Sequence, residues 1–99
     1  MSVSYLLKAA DCDTTGPETV LRVVGTREPP ARMVIQIAIA GSASAQLQGR
    51  IARDAPWIDL DAVHTKSALF HIDAVQFLRV IASGVATGAS VSAWAVWGW

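Results

Sequence analysis

The fold is decided by the last quarter of the chain, Val75-Gln-Phe-Leu-Arg-Val-Ile-Ala-Ser-Gly-Val-Ala-Thr-Gly-Ala-Ser-Val-Ser-Ala-Trp-Ala-Val-Trp-Gly-Trp99. Two arms rich in β-branched and aromatic residues, the composition of strands, flank a connection bounded by Gly84 and Gly88. Glycine supplies the positive φ that such links often need. The pattern predicts a long β-hairpin in register about Ala86, with Trp97 opposite Val75. In its second arm Ser90, Ser92 and Trp94 share one face, and Val91, Ala93 and Ala95 share the other. Every earlier strand is expected to pack on or beside this hairpin.

Outward from it, the same period of two recurs. Met33 to Ala40 is the most hydrophobic run, with Ile35, Ile37 and Ile39 on one face and Val34, Gln36 and Ala38 on the other. It reads as a central strand. After a turn at Gly41 to Ser44, Ala45 to Arg53 alternates, with Leu47, Gly49 and Ile51 directed inward. Asp54-Ala55-Pro56 turns the chain into a strand from Trp57 to Ala62, and Lys66 to Ile72 forms another. At the front, Ser2 to Ala9 places Val3, Tyr5 and Leu7 on one face; Asp11 to Pro17 reads as a surface loop and Glu18 to Gly25 as a strand. Pro29-Pro30 excludes a central strand from Thr26 to Arg32. About eight short strands and no helix predict an all-β chain, a single antiparallel β-sandwich domain over residues 1–99, of jelly-roll type.

Composition bounds the function. Eight basic and eight acidic residues cancel, which argues against nucleic acid and against an electrostatically bound membrane as partners. Charged residues make up 16% of the chain, against about 25% in a typical soluble domain. So sparse a charged surface points to coverage by other subunits, hence an obligate oligomer. The lone Cys12 excludes an intrachain disulfide and suits a reducing compartment. No signal peptide is expected, because Met1 to Lys8 lacks a basic leading region and a long apolar run. Val80 to Trp99 carries no charge and contains Gly84-x-x-x-Gly88, the pattern of a transmembrane helix pair. Its serines and its period of two favour strands instead.

No residue cluster declares a chemistry. Asp11-x-Asp13 and Asp59-x-Asp61 each offer two carboxylates, far short of the six to eight oxygens that calcium takes. His64 and His71 lack metal spacing, and Cys12 lies between two acids that blunt it as a nucleophile. No catalytic residue, cofactor or metal is expected, and the chain reads as a non-enzyme. The anomaly is four tryptophans, Trp57, Trp94, Trp97 and Trp99. They suit either a sugar-stacking platform or a core-and-interface role, in which Trp57 or Trp94 is core and the terminal pair covers an interface. Trp94, Val96, Trp97 and Trp99 are the candidate interface residues. Val96 to Trp99 is expected to serve as an attachment element that adds to a neighbour's sheet edge.

The order of three features resembles a known family. They are Asp54-Ala-Pro-Trp-Ile-Asp-Leu60, Phe77-Leu-Arg-Val80 and Ala89-Ser-Val-Ser-Ala-Trp94. From Gln46 to Trp94 the chain resembles small β-sandwich structural proteins of tailed-bacteriophage virions, of the capsid decoration (cement) type. Its turn is one residue shorter than theirs and carries Pro56 in place of a glycine. The resemblance implies a virion component made in the host cytoplasm. Its partners would be the major capsid protein and sister subunits, the latter in a homotrimer. A head–tail adaptor or tail subunit and a glycan-binding module are the alternatives.

Overall fold

A computed structural model of the chain describes residues 2–20, 32–73 and 75–97. The described strands are β1 (Ser2–Ala10), β2 (Thr14–Thr15), β3 (Thr19–Val20), β4 (Arg32–Ala40), β5 (Ser44–Arg50), β6 (Ile58–Asp59), β7 (Ala68–Asp73), β8 (Phe77–Ser83) and β9 (Ser90–Trp97). They form two antiparallel sheets: sheet one in the order β1-β9-β4-β7, sheet two in the order β2-β8-β5-β6, with β3 also paired to β8. Taking β2 and β3 as one interrupted strand, the chain crosses between sheets at every connection except β5 to β6. This is the wound Greek-key order of a jelly roll, and the expected β-sandwich is what forms.

The last quarter corrects one expectation. β8 and β9 are not a hairpin. β8 is a central strand of sheet two and β9 a central strand of sheet one. The link between them arches over the core, with Gly84 at φ 60° and Gly88 at φ 83°. Trp97 pairs with Ser2, not with Val75. The faces follow the alternation: Val91, Ala93 and Ala95 are buried. They look across the core at Leu78, Val80 and Ala82 of β8, which are buried too. Two alternating arms show the same pattern whether they lie side by side or face to face, so periodicity alone does not separate the cases. The uncharged stretch read as an alternative membrane helix is thus, through Trp97, two strands and an arch. Among the described residues no helix is long and apolar enough to cross a membrane.

A second arch, Gly41 to Ala43, carries β4 into β5 beside the first. Ser42 C=O accepts the Ala86 N–H at 2.9 Å, and Ala89 N–H closes back on Ala86 C=O at 2.9 Å. Gly41, at φ 80°, lies so close that a Cβ there would meet Ala89 Cβ at 2.9 Å. The core beneath the arches is wholly apolar: Leu6, Met33, Ile35, Ile37, Leu47, Leu78, Val80 and Val91 are its largest fully buried side chains. Each contributes about 1.5–3 kcal/mol through removal from water.

Three other expectations change. In β1 the register shifts between Tyr5 and Leu7 and again between Leu7 and Ala10. Leu6 and Leu7 are consequently both buried, while Val3 and Tyr5 face solvent; a bulge breaks the alternation. Within the expected surface loop, Thr14–Thr15 pairs with β8. Ile51 is 72% exposed, because β5 ends at Arg50 and Ile51 enters the turn. Of the strand expected from Glu18 to Gly25, Thr19–Val20 is seen; positions 21–25 and Pro29-Pro30 lie outside the described residues.

Gly41→Ala is expected to destabilise the protein more than Gly84→Ala. Both require a left-handed non-glycine residue, at about 1–2 kcal/mol. Only Gly41 adds an overlap with Ala89, whereas nothing lies within 4 Å of a Cβ on Gly84. Urea unfolding of the two variants checks the difference.

Candidate docking face

The outer face of sheet one is built by register. Across β1, β9, β4 and β7, one row of residues reads Val3, Val96, Val34, His71, and the next reads Tyr5, Trp94, Gln36, Leu69. Val3 and Leu69 are each 68% exposed and Tyr5 49%. These are large apolar side chains standing in water at the two edges of the sheet. Between them runs a groove of about 380 Å³, lined by Val3, Val34, Gln36, Leu69, Trp94 and Val96 together with Ala95. No charged side chain lines it. Trp94 leans on Tyr5 with ring centroids 5.2 Å apart and planes at 45°, and the Lys8 ammonium caps the other aromatic at 5.5 Å.

The groove has a definite shape. Val3 and Leu69 belong to strands three spacings apart, about 14 Å. A recess between two raised rims receives a ridge, such as a helix or a loop carrying apolar side chains. A flat copy of the same face would rest on the rims and leave the recess empty, losing the contacts that close packing provides.

The candidate interface residues divide. Trp94 and Val96 stand on this face, in adjacent rows. Trp97 is held in β9 by its pairing with Ser2. Trp99 lies outside the described residues. Val96 and Trp97 are therefore not a free strand for a neighbour's sheet edge: Val96 already pairs with both Val3 and Val34 in its own sheet. Removing residues 96–99 breaks those pairs, so this truncation would weaken the fold itself.

The outer face of sheet two is polar. Asp59, Gln48 and Arg79 form a row: Gln48 Nε2 donates to Asp59 Oδ1 at 2.9 Å, and Arg79 Nε donates to Gln48 Oε1 at 2.8 Å. Trp57 is half-buried, not core. Its ring meets the Arg50 guanidinium at 4.5 Å and that of Arg79 at 4.3 Å. Phe77 is approached by Arg50 at 5.3 Å and Arg53 at 5.4 Å. Arg50 Nη2 also pairs with Glu18 at 2.7 Å, and its Nη1 donates to Arg53 C=O at 2.8 Å. The sequence reading missed this cluster because its arginines are scattered and Trp57 was assigned to the core. Its only sequence signal is Arg50-x-x-Arg53 ahead of an aromatic.

The remaining candidates are engaged locally. His64 Nε2 lies 2.9 Å from Asp61 Oδ2, with its ring stacked on Phe70 at 4.8 Å. Asp13 Oδ1 accepts the Val85 N–H at 2.9 Å. His71, Asp11 and Cys12 are exposed. Among the described residues no group of three His, Cys, Asp or Glu side chains could hold a metal ion. Comparisons with protein-family models, with curated proteins and with solved structures find no match.

The position of Trp57 lowers the expected effect of its removal. A core tryptophan replaced by alanine costs about 3–5 kcal/mol; a half-buried ring held by guanidinium contacts costs about 1–2 kcal/mol. Urea unfolding of Trp57→Ala checks the magnitude.

Proposed function

We propose that the protein is a non-enzymatic structural subunit of a tailed-phage virion. In this reading it is a capsid decoration protein that docks through the outer face of sheet one onto the major capsid protein at capsomer junctions, together with sister subunits. The observation that carries the reading is the uncharged apolar groove between Val3 and Leu69. Exposed apolar patches rimmed by polar residues mark sites of protein association. The jelly-roll order adds support by analogy, since viral capsid and lectin domains use it, as does the resemblance of Gln46 to Trp94.

The proposed mechanism is mechanical. A rigid sandwich seats a ridge of the capsid in its groove, buries Trp94, Tyr5 and the two rims, and so opposes separation of the capsomers. Aromatic anchors in a desolvated pocket supply most of the energy in such contacts. A head–tail adaptor or tail subunit would use the same face on a different partner.

A glycan-binding role is the second reading. Gln36 and the Tyr5–Trp94 pair in one groove favour it. Against it, both Trp57 and Trp94 have neighbours packed on their rings.

Leu69→Lys is expected to abolish binding to particles that lack the protein, with an unchanged unfolding curve, because Leu69 is exposed in the free chain. Occupancy on such particles, measured by gel densitometry, checks this. Wild-type occupancy by the variant would remove the groove from the docking surface. Loss of Trp fluorescence change on sugar titration in the same variant would instead favour the glycan reading.

A further inference from the structure

The two ends of sheet two carry opposite charge. β5 and β8 run antiparallel, with Ser44 opposite Ser83 at the arches and Arg50 opposite Phe77 at the far end. At the far end stand Arg50, Arg53 and Arg79, gathered on Trp57 and Phe77. One carboxylate, Glu18, pairs with this group, and it takes Arg50 alone. Among the described residues Arg53 and Arg79 have no ion pair, and Arg50 Nε has no hydrogen-bond partner. The cluster therefore holds guanidinium charge against aromatic rings in a partly buried setting, where a carboxylate gains more than in open water.

The complementary group lies at the arch end of the same molecule. Thr14 pairs with Ala82, next to the arch, and Asp13 is fixed there by the Val85 N–H. Asp11 and Asp13 are exposed and form no ion pair among the described residues. Five strand positions separate Ala82 from Phe77, about 17 Å at the usual rise. The acidic tip therefore cannot reach the arginines of its own chain.

We propose that the arginine cluster is the receptor for the Asp11–Asp13 tip of a second copy, so that the protein self-associates head to tail through a heterologous contact. Such contacts give rings where the rotation closes and filaments where it does not. Arg53 and Arg79 face carboxylates of the neighbour, and Trp57 and Phe77 hold the guanidiniums in place. A nucleic acid is the poorer occupant, because Asp59 and Glu18 flank the cluster and would repel a run of phosphates. The contact is independent of what the groove on sheet one binds.

The experiment is sedimentation of the full chain at low and high salt, with Arg53→Asp, Asp11→Arg and the double variant. Both positions are exposed, so native thermal midpoints are expected throughout. Wild type should self-associate at micromolar concentration, and salt should weaken the association. Each single variant should weaken it about tenfold or more, the equivalent of one good charge contact, and the double variant should restore it by exchanging the charges across the contact. A wild type that stays monomeric would overturn the proposal. So would single variants that assemble normally, or a folded double variant no better than the singles. Binding of inorganic phosphate at Arg53 by a monomeric wild type would also overturn it, and would make the cluster an anion site.

Discussion

The sandwich depends on the contact between its two arches. Ser42 C=O to Ala86 N–H ties the turn after β4 to the turn after β8. β4 and β9 are neighbours in sheet one, and β5 and β8 are neighbours in sheet two. The one contact thus sets the lateral register of both sheets at the same end, and it fixes which residues face each other through the core. Gly41 permits this because no Cβ intervenes between the arches. A slip of one residue in either strand would turn its apolar set from core to water, so the arch contact and the core enforce the same register.

Much of this was legible in the sequence, for an identifiable reason. Alternation at Val91, Ala93 and Ala95, and again at Ile35 and Ile37, marks one buried face of a strand, and those residues are buried. What alternation leaves open is the identity of the neighbour. The Gly84 to Gly88 link serves a hairpin or an arch equally well, and only packing of both sheets selects the arch. The bulge in β1 escaped for a related reason: Leu6-Leu7 breaks the period of two, and tertiary burial decides which phase wins. Trp57 was misread because a tryptophan between apolar segments suggests a core, whereas arginines at positions 50 and 79 supply a surface setting for it.

The two outer faces divide the chemistry. Sheet one presents uncharged side chains and a recess, suited to an apolar ridge that brings its own shape. Sheet two presents hydrogen-bonded polar rows and guanidiniums, suited to oriented and salt-sensitive contacts. A balance of charge near zero over the whole chain hides this division. Exposed charge is scarce on the face that docks by shape, and it gathers at the two ends of the other sheet.

The position of β9 has a consequence for how the protein is made. It is the last strand of the chain and lies between β1, the first, and β4. During synthesis those two strands have no lateral partner between them until the final residues leave the ribosome. Sheet one therefore closes after translation ends, by insertion into a gap rather than by growth at an edge. Pairing between distant parts of a chain is slow to form, and open strand edges attract other chains in the interval. Yield in a cell is then governed by how quickly the gap is filled, and substitutions at Ala93 or Ala95 would act on that rate before they act on the finished particle.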